Sequence, residues 1–151
     1  MLRTRVVPAL AALALVSGCA VGSSATPGSD AGTLGDAVAE ATSAVQTTRV
    51  AARLLRTDRA PATVVDTTMD DSVHVLSDAT FAITTLVPGG ARAAAWRDEA
   101  LDAVDEASGA VARARDWANG VGDPATVRAD LDASAQRLDD LGTRLDAAAG
   151  R

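Results

Sequence analysis

Residues 124–149 read PATVRADLDASAQRLDDLGTRLDAAA and carry the clearest helical pattern in the chain. Their apolar and small residues recur at alternating spacings of four and three, at Val127, Leu131, Ser134, Leu138, Leu141, Leu145 and Ala148. This heptad spacing keeps one apolar seam on a single helix face, where it can pack against neighbouring helices. Asp123 before the segment and Pro124 at its first position are typical of a helix N-terminus. The sequence predicts a helix over residues 124–149.

Two further segments repeat the same spacing and predict helices over residues 34–57 and 62–87. In the first segment the seam consists of Leu34, Val38, Ala41, Val45, Thr48, Ala52 and Leu55. In the second it consists of Met69, Val73, Leu76, Thr80, Ile83 and Val87. Thr33, directly before the first segment, is its predicted N-cap.

The segment over residues 91–119 differs, because its seam is a stripe of alanines with a tryptophan at each end. The stripe consists of Trp96, Ala100, Ala103, Ala107, Ala110, Ala114 and Trp117. Small residues allow helix axes to approach closely. We expect the two tryptophans to close the ends of a packed seam. The alternative is that Trp96 and Trp117 dock a partner helix, since Trp is enriched at binding hot spots.

Three polar breaks rich in Gly or Pro separate the four segments, at residues 58–61, 88–90 and 119–124. No segment shows the period-2 alternation of a strand. Because short connections make neighbouring helices antiparallel, the predicted fold is an all-α, up-down-up-down four-helix bundle with left-handed, heptad-like packing. Leu, Ile, Val and Phe supply only about 19% of residues 19–151, so the core is thin.

The N-terminus has the features of a secretory signal. Arg3 and Arg5 precede an apolar run over residues 6–16, which is too short to cross a bilayer. The only Cys of the chain, Cys19, follows directly after this run and two small residues. Residues 20–32 contain almost only small residues, Gly, Ser and Pro, and predict a flexible tether between an anchor and the bundle at 33–151.

Val16-Ser17-Gly18-Cys19 resembles the lipobox of bacterial lipoproteins. The resemblance covers about the first twenty residues and has Val16 where Leu is commonest. It implies that residues 1–18 are a signal peptide and that Cys19 is lipidated and becomes the first residue of the mature chain. Two acyl chains anchor a protein far better than one does. The alternative is a plain secretory signal followed by an unrelated thiol.

Composition excludes several classes of function. The chain has 151 residues, all 14 basic residues are Arg, and 20 acidic residues give a net charge of −6. This acidic balance argues against a nucleic-acid partner, because no basic patch is available to release counterions from phosphate. One Cys rules out an internal disulfide, and one Cys with one His rules out the usual structural zinc sets.

The second segment carries the only candidate metal ligands, Asp66, Asp70, His74 and Asp78, four residues apart. A spacing of four drifts around the helix, so we expect a solvated face rather than a site, with Asp70 and His74 as weak metal candidates. We expect its acids to pair with the arginines at the end of the first segment, which are Arg49, Arg53, Arg56 and Arg59.

Catalysis is not expected, because the single His has no recognisable orienting partner and Cys19 is committed to lipid. We expect no cofactor. The whole chain resembles small helical lipoproteins of high-GC bacteria, which implies an architecture and no activity. The leading interpretation is a lipid-anchored bundle on the extracytoplasmic face of the cell membrane, acting as accessory or scaffold for another envelope protein. The alternative is a carrier or sensor that binds a small molecule or metal between its helices.

Overall fold

The computed structural model describes residues 27–151. Within this range the chain forms no strand and four helices, α1 Pro27–Arg56, α2 Ala62–Thr85, α3 Ala91–Ala118 and α4 Pro124–Ala149. The predicted all-α four-helix bundle is therefore confirmed. None of the four helices combines the length and the apolar content that crossing a membrane requires.

Ion pairs between helices fix their relative directions. The Arg115 Nε atom, near the end of α3, lies 3.0 Å from an oxygen of Asp66 near the start of α2. The Arg144 Nη2 atom, late in α4, lies 2.6 Å from Glu99 near the start of α3. Because each pair joins the end of one helix to the start of its neighbour, adjacent helices run antiparallel.

The predicted seams form the core, and all four helices contribute to it. On α4 six of the seven seam residues are buried, and the side chains of Leu138 and Leu145 are fully covered. On α2 only three of the six predicted seam residues are buried, because the buried face of the helix includes Ser72 and Ala79 in place of Val73 and Thr80. Val87 is 83% exposed, since α2 ends at Thr85 and Leu86 is already extended. Pro88 accounts for this early end, because a residue before proline avoids the helical region.

The alanine stripe of α3 decides how the helices are arranged. Its five alanines are buried with exposures of 1% or less. Helix α1 contacts all three other helices, including α3 across the bundle, whereas α2 and α4 do not contact each other within the described residues. Buried alanines on both α1 and α3 allow this diagonal approach, since the distance between helix axes depends on the side chains at the contact.

Helix α1 begins at Pro27, so the predicted tether is wrong for residues 27–32 and the predicted helix start at 34 is late. The early start is stabilised by tertiary contacts that composition does not reveal. Ala31 is fully buried, and the Asp30 carboxylate accepts a 2.8 Å hydrogen bond from the backbone N–H of Gly89. Thr33, predicted as the N-cap, instead lies inside the helix.

The other helix boundaries agree with the sequence within about two residues. The N-cap prediction at Asp123 is confirmed, because its carboxylate accepts hydrogen bonds from the backbone N–H of Thr126 at 2.8 Å and from its hydroxyl at 2.9 Å. These bonds lower the pKa of Asp123 below its ordinary value. The predicted signal peptide over residues 1–18 and the lipidated Cys19 lie outside the described residues.

Candidate functional site

Two carboxylates on the acidic face of α2 form ion pairs with an arginine of α3. Arg115 of α3 binds Asp66 through Nε at 3.0 Å and Asp70 through Nη1 at 2.6 Å. Asn119 donates a further 3.1 Å hydrogen bond to Asp66. The hydrogen bond from Arg115 is the largest cause that lowers the pKa of Asp66. This carboxylate therefore stays ionised to lower pH than usual.

The two weak metal candidates share one edge of that face. The His74 Nε2 atom lies 3.7 Å from an oxygen of Asp70, and the His74 side chain is 75% exposed. Asp78 is also exposed, on the solvent side of α2. Among residues 27–151, no three His, Cys, Asp or Glu side chains are grouped closely enough to hold a metal ion.

The expected partners of these acids are wrong. The arginines late in α1 do not pair with α2, and Arg49 instead binds Asp132 of α4. Arg49, Arg53 and Arg56 are three and four residues apart, so they share one face of α1. The rotation of α1 in the bundle turns this face toward α4, and it leaves the acids of α2 to Arg115 on the other side.

The two tryptophans do not form a common docking surface. Both are half-buried and pack against the core, but 21 residues of α3 separate them, which is about 32 Å along the helix. Trp96 stacks under the guanidinium of Arg92, which lies 4.6 Å from the ring centroid. Trp117 lines a cleft at the other end of α3.

This cleft, which we call the arginine cleft, lies between the end of α1 and the start of α4. Its volume is about 510 Å³. It is lined by Arg49, Ala52, Arg53, Arg56, Trp117, Pro124, Ala125, Val127, Arg128, Leu131 and Asp132. Four guanidinium groups therefore surround a floor of apolar side chains and one indole ring.

The arginine cleft contains most of the arginines that have no charge partner among residues 27–151. Eight of the twelve arginines in residues 27–151 bind a carboxylate or stack on a ring. The other four are Arg53, Arg56, Arg59 and Arg128, and three of them line the cleft. The sequence showed the cluster on α1, but the addition of Arg128 follows only from the packing of α1 against α4.

A second surface depression, the α1–α2 groove, is mainly apolar. It has a volume of about 370 Å³ and is lined by Ser43, Gln46, Thr47, Val50, Ala51, Leu54, Ala60, Val64, Val65 and Thr68. Val50 is 56% exposed and Val64 is 55% exposed, although both are β-branched hydrocarbons. The sequence did not predict this groove, because neither Val50 nor Val64 lies on a predicted seam.

Acidic residues without an ion-pair partner flank the α1–α2 groove. On α1, Glu40 lies seven residues before Thr47 and therefore on the same helix face. On α2, Asp71 lies seven residues after Val64, again on the same face. Within the described residues neither carboxylate has a basic partner. The end of the groove toward Glu40 and Asp71 is therefore negative, whereas the arginine cleft is positive.

Comparison with known proteins does not indicate a function for this chain. The sequence matches no family model, and neither a curated protein nor a solved structure shows significant similarity to it.

Proposed function

We propose that this protein is a non-enzymatic lipoprotein, anchored through Cys19 to the extracytoplasmic face of the cell membrane, that binds another envelope protein through its helical bundle. The lipobox pattern at residues 16–19 supports the anchor. The chain from Cys19 to Pro27 spans at most about 28 Å even when fully extended. The start of α1 would therefore lie close to the membrane, with the rest of the bundle projecting from it.

The observation that carries the binding role is the α1–α2 groove, with Val50 and Val64 each more than half exposed across it. Apolar surface in a depression between two helices fits the apolar face of an amphipathic segment. The flanking carboxylates of Glu40 and Asp71 favour a segment that carries Lys or Arg beside its apolar residues. A second copy that packs groove against groove fits less well, because Glu40 and Asp71 of both copies would bring like charges together.

The test uses the purified mature chain and two synthetic helical peptides that differ only in charge. One peptide combines Leu with Lys and the other combines Leu with Glu at the same positions. We expect the Leu–Lys peptide to bind saturably in fluorescence anisotropy and the Leu–Glu peptide not to bind. Replacing Val50 and Val64 together by Lys should weaken binding roughly tenfold or more, since both anchor side chains are lost.

The matched control places the same two charges elsewhere. Ala112 on α3 and Ala133 on α4 are exposed and lie outside the groove. The double replacement of these alanines by Lys should leave peptide affinity within about twofold, an effect of net charge alone. If both double variants weaken binding equally, the attraction is general electrostatics and the groove is not the docking site.

The anchor is tested separately in cells. Cys19→Ser removes the thiol that the lipobox resemblance assigns to lipid, and we expect the protein to leave the membrane fraction and enter the medium. Retention of the Cys19→Ser protein in the membrane fraction would overturn the anchor without affecting the peptide result.

A further inference from the structure

We propose that the arginine cleft is a binding site for a small organic phosphate, that is, a phosphate monoester carried on an apolar or aromatic body. This site is distinct from the α1–α2 groove, and the inference stands whether or not the protein is lipid-anchored.

The charge of the cleft is the first argument. In a chain with an excess of acids, Arg53, Arg56 and Arg128 have no carboxylate partner within residues 27–151. Asp132 is the only acidic residue that lines the cleft, and it is bound to Arg49. Three like charges around one depression repel each other, and a bound anion would offset that repulsion.

The number of unpaired arginines favours a phosphate monoester over a carboxylate as the bound anion. A phosphate monoester carries a charge between about −1.5 and −2 at pH 7 and has three acceptor oxygens. Each guanidinium offers a planar fork of donors that matches two of these oxygens. A carboxylate, with one charge and two oxygens, would leave more of the positive charge unbalanced.

The floor of the cleft selects what the phosphate is attached to. Ala52, Val127 and Leu131 supply hydrocarbon, and Trp117 supplies an aromatic ring. A volume of about 510 Å³ lies within the range of about 300–1,000 Å³ that is usual for small-molecule sites. The ligand therefore has an apolar part that covers this floor and a phosphate that meets the arginines.

The start of α4 is not itself the site. Pro124 and Ala125 line the cleft, but the first turn of α4 is already capped by the Asp123 carboxylate through Thr126. An anion at the backbone would have to displace that carboxylate. The side chains of Arg53, Arg56 and Arg128, which are exposed and unpaired, are the groups available to bind phosphate.

Isothermal titration calorimetry of the purified mature chain tests the proposal with three probes. Phenyl phosphate carries both parts of the ligand, inorganic phosphate carries the anion alone, and benzyl alcohol carries the ring alone. We expect saturable binding of phenyl phosphate, weaker binding of inorganic phosphate and no detectable binding of benzyl alcohol. Phenyl phosphate should also change the tryptophan fluorescence of the protein. This change should be absent in Trp117→Phe, in which only Trp96 fluoresces.

Paired arginine variants identify the site. The double variant Arg53→Gln with Arg128→Gln should weaken phenyl phosphate binding roughly tenfold or more, since two charged hydrogen-bond donors are lost. Arg56→Gln alone should weaken binding by a smaller factor. Arg59→Gln is the matched control, because Arg59 is also exposed and unpaired but lies outside the cleft. Circular dichroism verifies that each variant keeps its helical content.

Vesicles of phosphatidylcholine with phosphatidic acid present the same phosphate monoester on a membrane. Binding of phenyl phosphate alone identifies a soluble ligand, and binding of both, each lost in the double variant, identifies a lipid headgroup as its source. The proposal is overturned if phenyl phosphate does not bind saturably, if Arg59→Gln weakens binding as much as the double variant does, or if only vesicles bind.

Discussion

The two ends of the bundle differ in how their charged side chains are paired. One end contains the start of α1, the α2–α3 connection, the start of α3 and the end of α4, and we call it the closed end because each of its arginines pairs with a carboxylate or stacks on a ring. There Arg151 binds both Asp36 and Asp146, and Arg144 binds Glu99. At the cleft end lie the end of α1, the end of α3 and the start of α4, and the free arginines gather there around an apolar floor.

This difference separates charges that hold the helices in place from charges that remain available to a ligand. Asp30 is only 4% exposed, and its carboxylate connects α1 to the α2–α3 connection by accepting the hydrogen bond from Gly89. A buried carboxylate needs such a partner, because an unpaired one would be costly. At the cleft end the solvent-exposed arginines need no partner for stability, so their clustering calls for a different explanation.

The largest expected effect compares a core leucine at each end. Leu145→Ala, at the closed end, should lower the free energy of unfolding by about 2–5 kcal/mol, because the side chain is fully buried and leaves a cavity. Leu131 is equally buried, but Leu131→Ala should cost less, since Leu131 borders the arginine cleft and water can fill the space. Urea unfolding measures both variants. A greater loss of stability for Leu131→Ala would show that the cleft end is packed as tightly as the closed end.

Asp30→Ala should have the next largest effect. It removes the acceptor of the Gly89 N–H and should destabilise the bundle by about 1–3 kcal/mol. Asp30→Asn keeps an acceptor oxygen and should retain more stability than Asp30→Ala. Thermal unfolding followed by circular dichroism compares the two. Equal stability of Asp30→Ala and the unaltered chain would mean that the start of α1 does not depend on this bond.

The pH dependence of stability should involve both ends. The pKa of Glu99 at the closed end and the pKa of Asp66 toward the cleft end are lowered, each mainly by a hydrogen bond from an arginine. A lowered folded-state pKa stabilises the fold above the ordinary carboxyl range, and this contribution is lost as pH falls through the folded pKa. Melting temperature should therefore fall as pH decreases below about 5, from the ordinary values of these groups.

Arginine variants assign that pH dependence to particular pairs. Arg144→Gln should flatten the fall by removing the shift of Glu99, and Arg115→Gln should do the same for Asp66. If neither variant changes the slope of melting temperature against pH, the pairs do not contribute to acid stability.

The smallest expected effect sharpens the contrast between the ends. Arg56→Gln and Arg128→Gln should each change the free energy of unfolding by no more than about 0.5 kcal/mol, as is usual for surface positions without partners. Urea unfolding without added phosphate measures this. A large loss of stability in either variant would mean that the cleft arginines stabilise the fold, as the paired arginines of the closed end do.

Sequence reasoning predicted the fold more successfully than the surfaces. Helix α4 was predicted with its seam, its N-cap and both ends, because all three depend on neighbouring residues. The start of helix α1 was predicted seven residues too late, since Asp30 and Ala31 are stabilised by groups from distant segments. The arginine cleft and the α1–α2 groove were missed, because each joins residues from helices that are separate in the sequence.

By itself, the sequence determined that the chain forms helices, where most of them end and which face of α1, α3 and α4 enters the core. Heptad spacing, helix-stopping residues and capping are local, and local interactions act in the same way wherever the helix lies. Only the tertiary structure decided that α1 reaches α3, that Arg115 rather than the arginines of α1 neutralises Asp66 and Asp70, and that Arg128 joins Arg53 and Arg56. These outcomes depend on how each helix is rotated about its axis, which the packing of side chains from all four helices fixes together.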